Sequence, residues 1–164
     1  PDFRATERAF QLMAQVAGRA GRKNGQGRVF LQTKMKDAPV IPLIVKNDYA
    51  TFYDRQLSER MLFHYPPFYR LVYIYMKHRS AELLEEFSTA IGHKMREIFN
   101  ERVLGPDLPP VSRVKQLFIR KIVLKVETSL SQYKINEVLQ NIQNAYCEQP
   151  RYRSIVMYYD IDPL

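Results

Sequence analysis

The stretch LFIRKIVLKVE, Leu117–Glu127, has the most regular alternation in the chain. Successive side chains of a strand point to opposite faces of a sheet. One alternate set is mostly apolar and predicts the face that helices cover; its members are Phe118, Arg120, Ile122, Leu124 and Val126. The other set puts Lys121 and Lys125 on the opposite face. The pattern therefore predicts a sheet buried on one side and positively charged on the other.

Working outward from this strand, the chain shows further strands and two amphipathic helices. Strands are indicated at residues 69–77, at the start of segment 102–114 and within 153–162, and helices at 80–100 and 131–149. The order is βαββαβ, which is typical of the ferredoxin-like split βαβ motif. Two helices on one face of a four-stranded sheet bury enough apolar surface to fold. Residues 69–164 are thus predicted to form an α+β domain.

The first part of the chain is less regular. Residues 6–17 fit a helix that the following glycines end, and residues 28–33 fit a short strand. A second helix is expected at 48–63 with Asp48 as its N-cap. The YPPF sequence after it marks a boundary, because its prolines exclude a continuous helix. We therefore divide the chain into residues 1–47, a linker at 48–68, and the domain at 69–164.

Charge and composition narrow the class of partner and the compartment. The chain has 164 residues, a net charge of +8 and 46% hydrophobic residues, which favours a folded protein with a polyanionic partner such as nucleic acid, a nucleotide or an acidic protein. Its single cysteine, Cys147, cannot form an internal disulfide and suits a reducing compartment. There is no apolar run of membrane-spanning length and no signal peptide. We expect a cytoplasmic location and no membrane partner.

A metal site is not expected. The three histidines, His64, His78 and His93, are scattered without ligand spacing. Asp160 and Asp162 lie two apart on the last strand, yet no third ligand is in view. His64 next to YPP has no convincing catalytic partner and is interpreted as a surface or packed residue.

The segment QVAGRAGR carries the clearest chemical motif. Gly18 and Gly21 allow the backbone to approach a ligand closely, and Arg19 and Arg22 offer charged forks that suit phosphate oxygens. On residue chemistry alone a basic turn that ends a helix fits as well as a phosphate site. With Gln15, however, these residues match the Q-x-x-G-R-x-G-R pattern of motif VI in superfamily 2 helicases.

The longer segment PDFRATERAFQLMAQVAGRAGR resembles the PriA family of primosomal replication-restart DNA helicases. YPPF, VLGP and the terminal DIDPL also resemble that family, in the same order and at similar distances. The resemblance covers essentially the whole chain. It is most specific in the motif VI segment, and the later short motifs are weak individually.

The resemblance implies a C-terminal fragment of an ATP-dependent 3′–5′ DNA helicase that restarts replication at stalled forks by primosome assembly. Residues 1–47 would be the tail of the second RecA-like lobe, an α/β element, and residues 69–164 a domain similar to a small ribosomal-subunit protein. Gln15, Arg19 and Arg22 would be catalytic, with the arginines as fingers for ATP hydrolysis, and Gly18 and Gly21 would lie against the nucleotide. Pro1-Asp2 looks like a cut inside a longer protein.

The resemblance also implies ATP and Mg²⁺ in the full-length protein, and zinc in the full-length family. This chain has no Walker A or Walker B motif and none of the zinc-binding cysteines. The parent protein is thus expected to be an enzyme, whereas this fragment alone is expected to need no cofactor and to hydrolyse no ATP. The alternative is a stand-alone nucleic-acid-binding or protein-interaction module with a ferredoxin-like fold, in which GRAGR is a basic turn.

Two surfaces of the second domain are candidates for partner contacts. If Tyr73, Tyr75 and Tyr158 share the open face with Lys121 and Lys125, rings and ammonium groups would interleave. Such a surface stacks bases and screens phosphates. Docking of the same face against the helicase lobes is the alternative.

The second candidate is the Pro-rich loop, with Arg113 and Lys115 as phosphate or partner contacts or, alternatively, as a solvated hairpin. The sequence departs there from the family pattern R-G-R-Y-R-W-Q-L-L-L-K; the differing positions are Gln116, Leu117, Ile119 and Arg120. Expected partners are forked and single-stranded DNA, the missing helicase lobes, other primosome proteins, and a single-strand-binding protein through its acidic tail.

Overall fold

A computed structural model describes residues 2–20, 27–35 and 37–163 of the chain. They form two compact units, Pro1–Phe63 and His64–Leu164. The first unit contains the helices α1 (Ala5–Ala20), α2 (Val40–Lys46) and α3 (Tyr49–Leu62). The second contains β1 (Tyr69–His78), α4 (Ala81–Phe99), β2 (Val103–Asp107), β3 (Arg113–Val114), β4 (Leu117–Glu127), α5 (Gln132–Cys147) and β5 (Val156–Ile161), with a short 3₁₀ turn at Asn100–Arg102.

The first unit is held by a small aromatic core. Of its described residues, Phe10 of α1, Leu43 of α2 and Phe52 of α3 are buried, and the rings of Phe10 and Phe52 stack with centroids 4.3 Å apart. An ion pair joins α1 to α3, where Arg60 Nη2 lies 2.5 Å from Glu7 Oε2. Among the described residues, three helices are therefore held together by few buried side chains.

Two expectations for this unit were wrong. The first helix continues through Gly18 to Ala20, because a helical glycine costs only about 1 kcal/mol relative to alanine and does not by itself end a helix. The strand expected at residues 28–33 is absent: residues 27–35 form neither helix nor strand in the part of the chain that the structure describes. A strand needs a neighbour to accept its hydrogen bonds, and none of the described residues supplies one here.

The helices that flank the linker follow local rules. α2 was not predicted, because Pro39 and Pro42 lie at its start and proline disfavours a helix interior. Both prolines lie in the first turn, where a backbone N–H would have no intrahelical acceptor, so the helix tolerates them. The α3 prediction is confirmed, and Asp48 is its N-cap: Asp48 Oδ1 accepts a hydrogen bond of 3.1 Å from the Thr51 N–H. The same hydrogen bond lowers the pKa of the Asp48 carboxyl group.

The second unit is an antiparallel sheet covered on one face by two helices, so the α+β prediction is confirmed. Its strand order is β2–β4–β1–β5, and β3 forms a hairpin with β4. Helices α4 and α5 pack on the same face, and the core between them and the sheet includes Ile74, Ile122, Leu124, Leu84, Phe87, Ile91, Met95, Ile135 and Leu139. No helix among the described residues is both long and apolar enough to span a bilayer.

The register of the sheet decides which side chains meet on its uncovered face. Tyr75 in β1 lies opposite Lys121 of β4 and opposite Tyr158 of β5. Where β2 approaches β4, Gly105 has φ +94°, and a Cβ there would lie 2.8 Å from Lys121 O. Only glycine fits this position, so the chain needs it to keep β2 close to β4.

Candidate nucleic-acid interface

The uncovered face of the sheet carries tyrosines and lysines in alternation. Tyr73 and Tyr75 of β1 share this face with Lys121 and Lys125 of β4, because Tyr75 lies opposite Lys121 and alternate residues of a strand point to the same face. Tyr158 of β5 joins them opposite Tyr75. We call these five residues, together with Lys77 and Tyr65, the tyrosine–lysine face. The predicted alternation along β4 is confirmed: Ile122, Leu124 and Val126 are buried beneath the helices.

The rings of the tyrosine–lysine face contact one another directly. The Tyr75 and Tyr158 rings stack at 5.2 Å between centroids, with 18° between their planes. Tyr73 meets Tyr75 edge-on at 6.3 Å. Offset-stacked and edge-to-face pairs are the favoured aromatic geometries, worth about 0.5–1.5 kcal/mol beyond burial. The three rings therefore form a fixed platform across β1 and β5.

Each end of this platform is covered by a lysine. Lys121 Nζ lies 4.4 Å from the Tyr73 ring centroid, and Lys77 Nζ lies 4.5 Å from that of Tyr158. Such exposed cation–π contacts are worth about 0.5–1 kcal/mol, whereas stacking of a nucleobase on an aromatic side chain is worth about 1–3 kcal/mol. A base can thus displace a lysine stem from a ring, and the ammonium group released is then free to meet a phosphate.

Burial changes the titration of several groups on this face. Partial burial raises the pKa of the Tyr73 and Tyr75 hydroxyls, and the neighbouring carboxylate of Asp160 raises it further. Burial also lowers the pKa of Lys125, whose Nζ lies 3.9 Å from the Tyr65 ring centroid. The hydroxyl groups of Tyr73 and Tyr75 therefore stay protonated at physiological pH and can donate hydrogen bonds.

Two members of this face were not among the expected contacts. Lys77 follows Tyr73 and Tyr75 at the same period of two along β1, so the alternation already contained its position. Tyr65 precedes β1 in the YPPF segment, and its contact with Lys125 depends on how that turn folds over the sheet. No local pattern encodes that contact.

The structure separates the Pro-rich hairpin from the tyrosine–lysine face. Arg113 of β3 lies opposite Phe118, a residue that packs against the helix-covered core, and its guanidinium lies 4.9 Å from the Phe118 ring centroid. Lys115 is exposed at the hairpin turn with φ +55°. Arg113 therefore lies on the other side of the sheet from Lys121 and Lys125.

Those residues of the motif VI pattern match that the structure describes lie along α1. Gln15 and Arg19 are exposed and four residues apart, so they share one side of the helix. Gly18 has nothing within 4 Å of the position of a Cβ. Gly21 and Arg22 lie outside the described residues. Within the described part of the chain, no group of three or more His, Cys, Asp or Glu residues could hold a metal ion.

Comparison with known proteins gives a match to one family model and to several relatives that share one name. The family model described as the primosomal protein N C-terminal domain matches residues 61–164. The Replication restart protein PriA of Bacillus subtilis is 29% identical over 99% of this chain, and that of Chlamydia pneumoniae is 31% identical over all of it. The Haemophilus influenzae protein of the same name is 31% identical over 99% of the chain. These matches cover 20%, 21% and 22% of the three relatives, so the chain spans about a fifth of their length.

The family match includes every strand of the sheet and both helices that cover it. The matched residues also contain YPPF, VLGP and DIDPL, whereas the motif VI segment lies before them in the chain. The chain belongs to the family of the primosomal protein N C-terminal domain.

Proposed function

We propose that this chain is the C-terminal part of a replication restart protein and that its second unit binds single-stranded DNA on the tyrosine–lysine face. The relatives are named for replication restart, and they match this chain over nearly its whole length. The observation that carries the DNA-binding proposal is the platform of Tyr73, Tyr75 and Tyr158 with Lys77 and Lys121 at its ends. Forked DNA, other primosome proteins and a single-strand-binding protein are the proposed partners.

The arrangement fits a single strand better than a duplex. Bases in a duplex are stacked on one another and offer no free ring face, whereas a single strand can stack its bases on aromatic side chains. Lys121 and Lys125 lie four residues apart on β4, which is about 13 Å along a strand. Phosphates flanking the stacked bases can therefore reach ammonium groups along the same track.

We further propose that the parent protein is an ATP-dependent 3′–5′ DNA helicase and that α1 carries its motif VI. Gln15 and Arg19 project from one exposed side of α1, where a nucleotide held by another lobe can approach them. Residues 1–47 would then be the tail of the second RecA-like lobe. ATP and Mg²⁺ would be held by the parts of the parent protein that carry the Walker motifs, so this chain alone would not hydrolyse ATP.

The sheet of the second unit supports the ferredoxin-like assignment. Without the short hairpin strand β3, its elements follow βαββαβ, and the two strands that precede helices, β1 and β4, lie side by side in the middle of the sheet. Both helices cover one face, and on the other face Tyr73, Tyr75 and Tyr158 are at least partly exposed. This is the arrangement in which a small sheet binds a nucleic acid with its uncovered face.

The test is single-strand binding by the tyrosine–lysine face. A fluorescent single-stranded oligonucleotide is titrated with the chain by anisotropy over a range of salt concentrations. We expect Lys121→Gln with Lys125→Gln to reduce the slope of log K against log salt by about 1.4, since each phosphate contact contributes about 0.7. Tyr158→Leu should weaken binding by about 5- to 150-fold, the equivalent of about 1–3 kcal/mol for one stacked base.

The matched control removes two exposed lysines elsewhere, with Lys34→Gln and Lys134→Gln. If the control lost as much single-strand affinity as the Lys121/Lys125 variant, only net charge would matter, and the assignment of DNA binding to the tyrosine–lysine face would be wrong. Absence of any single-strand affinity at low salt would also overturn the proposal and leave the face as a docking surface for the parent protein.

A further inference from the structure

The two outer strands of the sheet, β2 and β5, differ in regularity. The pairing of β2 with β4 shifts in register between Leu104 and Asp107, and Pro106 between them has no N–H to offer a neighbour. β5 pairs with β1 residue by residue without a shift. Because bulges and prolines protect a sheet edge from further pairing, the β2 edge is protected in a way that the β5 edge is not.

The backbone of β5 has hydrogen-bonding groups that point away from the sheet. Leu71 O accepts a hydrogen bond of 2.8 Å from Asp162 N–H, so these two residues form a hydrogen-bonded pair of the antiparallel ladder. Since such pairs alternate with pairs that are not hydrogen-bonded, the register directs every second β5 residue away from β1. These residues are Met157, Tyr159 and Ile161. No backbone hydrogen bond joins their outward groups to any described residue.

A groove lies beside this edge, between β5 and α5. Its lining residues are Val72, Asn136, Leu139, Gln140, Tyr159 and Ile161. The Tyr159 hydroxyl donates a hydrogen bond of 3.2 Å to Leu139 O, which ties the edge strand to the helix. Gln140 Nε2 donates one of 2.9 Å to Asn144 Oδ1 along α5. The walls of the groove are therefore held in place next to the outward-pointing main-chain groups.

The side chains on the other face of the β5 edge are acidic. Asp160 is exposed and lies opposite Tyr73 of β1, and Asp162 follows it at the strand period of two. Neither carboxylate forms an ion pair with a described residue. Opposite charges on neighbouring strands are stabilising and like charges are destabilising. A neighbouring strand with lysine or arginine is therefore favoured, whereas a second copy of β5 would add two more aspartates.

We propose that the β5 edge binds an extended peptide of a protein partner by antiparallel strand addition, and that apolar residues alternate with lysine or arginine in this peptide. The outward N–H and C=O groups of Met157, Tyr159 and Ile161 hold its main chain. Its apolar side chains enter the groove beside Leu139, and its basic side chains meet Asp160. The proposal goes beyond DNA binding and does not depend on it, since no residue of the tyrosine–lysine face supplies a contact.

The alternation of the peptide follows from the geometry of the edge. Residues paired across two strands share a face, so the peptide residues opposite Tyr159 and Ile161 lie on the helix-covered side, where the groove is. The residues between them lie on the side of Asp160. In an antiparallel pair, the peptide residues opposite the outward-pointing β5 residues also point their N–H groups at β5. The apolar positions are therefore the ones that hydrogen-bond to the edge.

The first experiment titrates a fluorescent KVKVKVK peptide with the chain by anisotropy. We expect saturable binding, and much weaker binding of the acidic counterpart EVEVEVE. N-methylation of the valines should weaken binding at least about tenfold, because it removes the donors that face β5 and leaves acceptors of the edge unpaired. N-methylation of the lysines is the matched control. It alters N–H groups that point away from β5, so it should weaken binding clearly less.

The second experiment changes the edge itself. Ile161→Pro removes an N–H that points outward, so it should leave the pairing with β1 intact and weaken peptide binding at least about tenfold. Ile161→Val keeps the N–H and should stay within about twofold of the unaltered chain. Asp160→Asn should weaken binding of KVKVKVK by about 1.5- to 5-fold, the range of an exposed ion pair.

Hydrogen exchange locates the bound peptide. KVKVKVK should protect the amides of Met157, Tyr159 and Ile161, which exchange fast without it. In Ile161→Pro the amides of residues 156, 158 and 160 should stay protected, which shows that the variant is folded. The Lys121/Lys125 variant should bind the peptide at least as tightly as the unaltered chain, so a failure of the DNA proposal is distinguishable from a failure here.

Three results would overturn the strand-addition proposal. EVEVEVE could bind as tightly as KVKVKVK, the two methylated peptides could bind alike, or KVKVKVK could protect other residues and not the edge. A fourth result would change the occupant: dimerisation of the chain alone at high concentration, with protection of the same three amides, would make the β5 edge a contact between two copies and the proposed peptide chemistry wrong.

Discussion

Two lysines of the sheet lie over tyrosine rings on which a nucleobase could also stack. Lys121 rests over Tyr73 and Lys77 over Tyr158, and each contact is weaker than the stacking of a base on the same ring. The Tyr73 and Tyr158 rings are thus covered by ammonium groups, and the phosphates of a nucleic acid would attract those same groups. Period-two alternation was enough to place Lys121 and Tyr73 on one face from the sequence. The contact of Lys125 with Tyr65 was not predictable, because it depends on the path of the YPPF turn.

The arginine-finger role proposed for Arg19 and Arg22, which match the motif VI pattern, can be tested by mutation. In a longer protein that joins this chain to a nucleotide-binding lobe, Arg19→Ala and Arg22→Ala should each lower DNA-stimulated ATP turnover by at least about a hundredfold. The physical reason is the loss of a positive charge that stabilises the transition state of phosphoryl transfer. Steady-state phosphate release measures the effect, and nucleotide affinity should change far less than turnover.

The control for these arginines is Arg28→Ala, an exposed arginine just after the motif. It removes the same charge without removing a motif residue. Turnover rates that fall equally in Arg28→Ala, or that stay unchanged in Arg22→Ala, would show that the motif is only a basic turn.

At the scale of elements, the long amphipathic helices were easier to predict than the short elements. α4 and α5 follow from their apolar period and a serine at each start, both of which are local properties. The prediction of a strand at residues 28–33 was wrong, because a strand depends on a neighbouring strand that its own sequence does not specify. The hairpin strand β3 was missed for a related reason: it has only two residues and is defined by its pairing with β4.

The two helix starts differ in a way that gives a matched prediction. Ser80 Oγ accepts a hydrogen bond of 3.2 Å from Leu83 N–H at the start of α4, whereas Ser131 makes no side-chain cap hydrogen bond at the start of α5. Ser80→Ala should therefore lower the free energy of unfolding by about 1 kcal/mol, and Ser131→Ala by clearly less. Urea denaturation followed by circular dichroism compares the two. Equal losses would show that the hydrogen bond at Ser80 contributes nothing beyond the preference of serine for a helix start.

At the scale of the whole molecule, burial is divided very unevenly between the two units. The second unit contains nearly all of the fully buried side chains, among them Ile74, Phe87 and Leu124. In the described part of the first unit only Phe10, Leu43 and Phe52 are buried. This difference was only partly visible in the sequence, since the first segment contains enough apolar residues for a core. Many of them are exposed, with Phe30 at 89% and Met35 at 71%.

The uneven burial predicts separate unfolding of the two units. Removing a buried aliphatic side chain costs about 2–5 kcal/mol, and a unit whose described residues include three buried side chains has little stability to lose. Amides of α1–α3 should therefore exchange with deuterium at least about a hundredfold faster than those of β1 and β4. Ile74→Ala should accelerate exchange throughout residues 64–164, and Phe52→Ala should act only within residues 1–63.

If Phe52→Ala accelerated exchange in β1 and β4, the two cores would be energetically coupled, and the second unit would need the first to reach its full stability. If it did not, residues 64–164 expressed alone should keep the same denaturation midpoint, because the sheet, its two covering helices and the tyrosine–lysine face all lie within them.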